Sequence, residues 1–165
     1  MIDASTDAHI WANTYDKESN EIFTIQSDVA ENIAEELQAE ISQREKSRIE
    51  RKATENMEAY DLYLKGRYYW NKMMPNDLET SLGYFKQAIE LDPDYAIAYV
   101  GLAEAYHVLG SFNVLHPSET YPKAKEAALR AIELDGNLGE AHNSLGLALM
   151  YADWDWDGAE LEFKK

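Results

Sequence analysis

The sequence predicts an all-α fold in which helix pairs stack into an αα superhelix, preceded by a long helix and a short N-terminal β-hairpin. The first observation is a repeated sequence, since Ala-Ile-Glu-Leu-Asp stands at 88–92 and again at 131–135. An amphipathic segment follows each copy, which is typical of repeat architectures. The second observation is a stretch at 20–51 without proline or glycine, in which apolar residues recur every three or four positions.

Composition indicates a folded and strongly acidic protein. The chain has 165 residues, 45% of them hydrophobic, and its 31 acidic and 15 basic residues give a formal net charge of -16. This charge repels phosphate backbones and anionic lipids, so we expect no nucleic-acid partner and no direct membrane contact from this segment. The absence of cysteine excludes disulfides and thiolate sites but fits reducing and oxidising compartments equally. Localisation stays open, with the cytoplasm slightly favoured unless an upstream membrane helix places the segment outside it.

Residues 1–19 are predicted to form a hairpin. A turn at 5–7 precedes the stretch 8–15, whose aromatic and β-branched residues suit a strand. An isolated hairpin is only marginally stable in water. We therefore expect this one to pack against a helix, to pair with another chain or to be the remnant of a larger sheet.

Residues 20–53 are predicted to form one long amphipathic helix. Its apolar face consists of Ile22, Ile25, Val29, Ile33, Leu37 and Ile41. Its second half carries the basic cluster of the chain, Arg44, Lys46, Arg48, Arg51 and Lys52. We interpret this cluster as a solvated helix face with pairs such as Glu40 and Arg44, in preference to a nucleic-acid or membrane patch.

Three helix pairs are predicted in residues 57–165, the last of them incomplete. Asn56 is placed as an N-cap for a helix that runs to Trp70. Turn sequences at 92–94, 110–118, 135–137 and 153–158 then separate further helical segments.

These pairs resemble tetratricopeptide (TPR) repeats, whose unit of roughly 34 residues is two antiparallel helices with small residues where they cross. The resemblance covers residues 57–165 as two full repeats and one truncated repeat, with extra residues between the helices at 71–77 and 110–117. In the first pair the matching residues are Gly66, Tyr69, Phe85, Ala88 and Pro93. Those of the later pairs are Tyr99, Leu102, Ala103, Tyr106, Ala124, Ala128 and Ala131, then His142, Leu145, Gly146, Leu149, Ala159 and Phe163.

The resemblance implies that the first helix of each pair lines a concave face that holds a peptide or a partner helix. By register that face carries Tyr60, Tyr63, Arg67, Trp70, Ile97, Val100, Glu104, His107, Asn143, Leu147 and Met150. The Lys and Asn clamp that some co-chaperone members use for a terminal carboxylate is missing. Two alternatives stay open, because an aromatic stripe at helical spacing is also typical of a core, and the long helix could itself cover the groove.

A second resemblance concerns the N-terminal stretch 2–26, which looks like the closing hairpin and following helix of a TolB-like domain. That domain often precedes TPR repeats in class III adenylate cyclases, winged-helix regulators and serine/threonine kinases. The resemblance therefore implies a signalling setting without assigning an activity to this segment.

The sequence at 153–158, Asp-Trp-Asp-Trp-Asp-Gly, matches the opening of a calcium-binding EF-hand loop. Position twelve of that loop should be glutamate and is Lys164, so we expect a turn in which Asp157 and Glu160 cap a helix and both tryptophans pack on neighbours. The four histidines are scattered, and His142 is expected to be a buried, hydrogen-bonded packing residue. The sequence predicts no catalytic residue, no metal site and no cofactor.

The predicted function is a non-catalytic protein–protein interaction or scaffold module of a larger bacterial or archaeal signalling protein. Its partner is a protein or peptide of unknown identity. The alternative is an oligomerisation segment in which the hairpin and the long helix join subunits. A homodimer through uncapped ends of the array is a further expectation.

Overall fold

The computed structural model describes residues 2–3, 8–9, 22–36 and 53–165. The chain divides into two compact units, 1–52 and 53–165, which are described separately.

The first unit contains two short strands and one helix. Strands β1 (Ile2–Asp3) and β2 (Ala8–His9) pair antiparallel, with Ile2 opposite His9. Helix α1 (Ile22–Glu36) lies within the helix predicted for 20–53. The pairing is much shorter than the hairpin predicted for residues 1–19, and the rest of that hairpin and the basic cluster lie outside the described residues. A TolB-like origin for this unit stays a prediction.

The second unit is all-helical, which confirms the predicted helix pairs. Its helices are α2 (Met57–Trp70), α3 (Pro75–Leu91), α4 (Ala96–Ser111), α5 (Pro117–Leu134), α6 (Gly139–Ala148) and α7 (Trp156–Phe163), with a π-helical turn, Leu149–Asp153, that continues α6. Each helix packs on the next, and the first helices of successive pairs also touch, α2 on α4 and α4 on α6. The insertions predicted at 71–77 and 110–117 fall on the short loops 71–74 and 112–116 and on the helix ends beside them.

Asn56 is the N-cap of α2, as predicted. Its side-chain oxygen accepts hydrogen bonds from the backbone N–H groups of Glu58 and Ala59, both at 3.1 Å. Its amide also donates to the carbonyl of Leu91 at 3.0 Å. One side chain therefore satisfies the start of α2 and fixes it to the end of α3.

The cap of α7 differs from the prediction. Asp155, rather than Asp157, accepts a hydrogen bond from the N–H of Gly158, at 2.9 Å. The reason is that the helix begins at Trp156, so Asp157 already lies inside its first turn. The expected packing of the two tryptophans on neighbours is also wrong, because Trp154, which precedes α7, is 73% exposed and Trp156, its first residue, is 59% exposed.

The core of the first pair is built on Phe85, which is fully buried. A Cβ atom added to Gly66 on α2 would lie 2.5 Å from Cε1 of this ring, and one added to Gly101 on α4 would lie 2.6 Å from the same atom. Both helices therefore approach the same edge of the ring at a distance that only glycine permits. Gly146 stands in the same relation to Phe163 in the third pair, at 2.4 Å.

Alanines take the equivalent role in the second pair. Ala103 on α4 packs with Ala127 and Ala128 on α5 and with Leu145 on α6, and all four are buried. The small residues predicted at the crossings, Gly66, Ala103 and Gly146, are thus confirmed as buried contact positions.

The two copies of the repeated sequence form the same turn. Asp92 and Asp135 end α3 and α5 with nearly equal dihedral angles, φ -141°, ψ 91° and φ -144°, ψ 92°. In each copy a carboxylate oxygen accepts the N–H two residues later, from Asp94 and from Asn137, both at 3.1 Å. The repeated sequence is therefore a C-terminal cap with an Asx turn that leads into the next pair.

His142 is buried and hydrogen-bonded, as predicted. Its Nδ1 lies 2.6 Å from a carboxylate oxygen of Glu162 and its Nε2 lies 3.1 Å from the carbonyl of Gly136. Each ring nitrogen thus has a hydrogen-bond partner, and the buried imidazole is held from two sides. Burial acts to raise the pKa of the Glu162 carboxyl, but hydrogen bonds from Lys165 and His142 outweigh it and hold that pKa below its ordinary value.

We predict that Gly66→Ala and Gly101→Ala each lower the free energy of unfolding by about 1–3 kcal/mol, because the new methyl group overlaps the buried Phe85 ring. The matched control is Gly83→Ala in α3, where an added Cβ meets nothing within 4 Å. It should raise stability by up to about 1 kcal/mol through helix propensity. Urea unfolding followed by circular dichroism measures all three, and equal effects at Gly83 and Gly66 would contradict the close approach.

We predict that Glu162→Gln lowers the free energy of unfolding by about 1 kcal/mol at pH 7, because it replaces two charge-assisted hydrogen bonds by neutral ones. The folded-state pKa of Glu162 is depressed, so its contribution is complete above its ordinary value of 4.5 and is lost as the pH falls through the folded value. Thermal unfolding of variant and parent at a series of pH values from 7 downwards tests this. Glu160→Gln, an exposed neighbour, is the control, and a difference that does not shrink as the pH falls would refute the assignment.

Candidate functional site

The predicted partner-binding residues lie on α2, on α4 and on α6 with its π-helical turn, which are the first helices of the three pairs. Of these residues, Tyr60 and Val100 are buried, with exposures of 9% and 2%, and Ile97 packs against the cluster that contains Val100. Tyr60 and Val100 are therefore core residues, in agreement with the alternative that part of the stripe belongs to the core. We call the half-buried set Tyr63, Arg67, Trp70, Glu104 and His107 the first-helix face.

An ion pair between Arg67 and Glu104 joins α2 to α4 across this face. The guanidinium carbon of Arg67 also lies 4.5 Å from the ring centroid of Trp70, which is a cation–π contact. The side chains of Arg67 and Glu104 remain 30% and 22% exposed. The arrangement fixes a charged pair and an aromatic ring beside each other at the surface.

Tyr63 lies within electrostatic reach of both members of this ion pair, and its ring packs on aromatic rings of the core. Its ring is 5.9 Å from Phe85 and 5.5 Å from Tyr95, the latter edge to face. Burial raises the pKa of the Tyr63 hydroxyl; Arg67 opposes this rise, and Glu104 and Glu140 add to it. The hydroxyl therefore stays protonated, and the carboxylates that act on it come from both α4 and α6.

Two tyrosine rings form a cluster with the imidazole of His107. Tyr121 on α5 stacks on the imidazole at 5.6 Å, and Tyr151 in the π-helical turn contacts it edge to face at 5.0 Å. Burial lowers the pKa of His107, so the ring is neutral at pH 7. Sequence reasoning missed both tyrosines, because they lie on other elements and match no helical period with His107.

The remaining predicted residues lie on the third pair. Asn143 is exposed on α6, and Leu147 and Met150 are half-buried there and in the π-helical turn. Glu140, exposed in the first turn of α6, is a further residue that the structure places within electrostatic reach of Tyr63.

Within the four described ranges, no group of three or more His, Asp or Glu side chains is arranged to hold a metal ion. In the same part of the chain, no helix has the length and apolar character needed to cross a membrane.

Comparison with known proteins agrees with this architecture. A family model described as TPR repeat matches residues 76–110, which cover nearly all of α3 and α4. The chain is 29% identical over 156 residues to the putative adenylate cyclase 3 of Rhizobium meliloti, across 92% of this chain and 26% of that protein. It is 33% identical over 86 residues to the transcriptional regulator HilA of Salmonella typhimurium, across 52% of this chain and 16% of HilA.

The chain thus spans about a quarter of the cyclase and about a sixth of HilA. Both similarities are to parts of longer proteins. TPR repeats in general mediate contacts between proteins, and residues 76–110 of this chain match the model of that repeat.

Proposed function

We propose that the helical unit binds a peptide or partner helix on the first-helix face and acts as a scaffold rather than as an enzyme. The observation that carries this proposal is the Arg67–Glu104 pair beside Trp70, since it presents charge and aromatic surface together on two adjacent first helices. Half-buried aromatic and apolar side chains can anchor a segment, while charges at their edge select its orientation.

The charges of this face favour a basic partner. Arg67 is already paired with Glu104, and among the described residues no ion pair compensates the exposed carboxylate of Glu140 on α6, which acts on Tyr63. The neutral His107 cluster supplies the apolar part of the surface. An amphipathic helix with apolar residues on one side and a flanking lysine or arginine has the matching chemistry.

A further part of the proposal is that this chain belongs to a larger protein. Similarity to part of a putative adenylate cyclase and part of a transcriptional regulator supports a role within a larger signalling protein. Reading the adjoining coding sequence tests this, because the proposal requires a cyclase, kinase or winged-helix domain in the same polypeptide.

The oligomerisation alternative stays a prediction, since most of the segment concerned lies outside the described residues. Light scattering of the full chain over a wide concentration range tests it. A monomer throughout would argue against the hairpin and long helix as a subunit contact and would leave the first-helix face unaffected.

We predict that a designed amphipathic helix flanked by lysines binds the protein more tightly than the same helix flanked by glutamates. Glu140→Lys should weaken the lysine-flanked helix by about two- to fivefold, as expected for an exposed charge pair. The loss should shrink at high salt because of screening. Fluorescence anisotropy of the labelled peptide gives both affinities.

Glu90→Lys is the matched control, since it makes the same change in net charge at an exposed position of α3. It should leave the affinity nearly unchanged. Equal losses in both variants would show that only the overall charge of −16 attracts the peptide. Equal binding of the two peptides to the parent protein would contradict the proposed site.

A further inference from the structure

A second surface lies beside Tyr106, whose side chain projects from α4 and is 8% exposed. The ammonium groups of Lys86 on α3 and Lys123 on α5 lie 5.5 Å and 5.7 Å from the centroid of this ring. By these distances the two nitrogens are at most about 11 Å apart, and each is within cation–π range of the same tyrosine.

Neither lysine has a carboxylate partner among the residues that the structure describes. The other basic side chains of α5, Lys125 and Arg130, are paired with Asp153 and with Glu133. The chain has a net charge of -16. Two ammonium groups within 5.7 Å of the centroid of one ring, neither of them paired with a carboxylate of the described residues, are therefore a local excess of positive charge.

Tyr106 and Lys123 also line a groove of about 720 Å³, whereas Lys86 approaches the same ring from outside that lining. The apolar lining of the groove includes Leu102 and Tyr99 from α4 and Ala127 and Leu129 from α5. It follows α5 from Lys123 to Glu133, which corresponds to about 15 Å of helix. This volume lies within the range of sites that hold small molecules.

The charges along the groove differ between its two ends. At the far end Arg130 is held by Glu133 at 3.0 Å and by Asp94 at 3.7 Å, so its charge is compensated. Glu126, one helical turn from Lys123, adds a carboxylate in the middle. An anionic group is therefore attracted at the Tyr106 end and repelled further along.

We propose that this groove binds an organic anion, with its carboxylate or phosphate head at Lys123 beside the Tyr106 ring, near the positive charge of Lys86, and its apolar body along Leu102, Tyr99 and Ala127. The ammonium group of Lys123 supplies a charge-assisted hydrogen bond to the head, and that of Lys86 adds a nearby positive charge. The apolar lining and the aliphatic stem of Lys123 cover the body. This site uses the other side of α4 from the first-helix face and does not depend on the function proposed there.

The test is a titration of the full chain followed by two-dimensional nuclear magnetic resonance of the backbone amides. The probes are decanoate, decyl phosphate and the uncharged decanamide. Decanoate or decyl phosphate, or both, should shift amides of α4 and α5 saturably, and decanamide should bind at least about tenfold more weakly. Comparison of the two anions identifies the preferred head group.

Lys123→Gln should raise the dissociation constant of the bound anion by about tenfold, because it removes the charged donor, and Lys86→Gln by about two- to threefold, because it removes a nearby charge. Lys65→Gln is the matched control, since Lys65 is an exposed lysine of α2 that also lacks an ion pair among the described residues. All three positions are exposed, so folding should be preserved. Equal binding of decanamide, an equal effect of Lys65→Gln, or shifts confined to other helices would overturn the proposal.

Discussion

The close approach of two helix backbones to one edge of Phe85 is the constraint on which the rest of the second unit depends. Gly66 and Gly101 lie on different helices, yet an added Cβ at either would overlap the same ring atom. Because Phe85 is fully buried, the ring cannot move away without opening the core. The contact therefore sets the spacing of α2 from α3 and of α3 from α4 at once, and with it the position of each first helix relative to the next.

That spacing explains why α4 can carry two different surfaces. Glu104 and Tyr106 are two residues apart, which places them about 200° apart around the helix. Glu104 reaches Arg67 on α2, whereas Tyr106 lies beside lysines of α3 and α5. Since α4 contacts α2, α3, α5 and α6, both surfaces are held by the same packed helices. A ligand on one side has no steric reason to exclude a ligand on the other.

Sequence reasoning succeeded where a residue's role follows from its spacing along a single helix. The small residues Gly66 and Ala103, the ring of Phe85 and the cap at Asn56 all obey such local rules. It failed where the role depends on another helix. Gly101 does not occupy a small-residue position of the TPR pattern. A glycine is required there because the Phe85 ring of α3 leaves no room for a Cβ atom.

The same limit applies to the two surfaces. The pairing of Arg67 with Glu104 and the convergence of Lys86 and Lys123 on Tyr106 join residues from different helices, so no single period encodes them. Burial was also ambiguous from sequence, because Tyr60 and Arg67 follow the same helical stripe but one is in the core and the other is 30% exposed.

The repeated Ala-Ile-Glu-Leu-Asp sequence shows what the repeat preserves physically. Asp92 and Asp135 end their helices with the same geometry and the same side-chain hydrogen bond, although proline follows one and glycine the other. Beyond the turn, the backbone carbonyl of Gly136 lies 3.1 Å from Nε2 of His142, and a proline would offer the same acceptor. The aspartate thus sets the geometry of the turn, and both proline and glycine are accommodated after it. In the third pair this carbonyl contacts the buried His142, at the position where the second pair has Tyr99 and the first has Leu62.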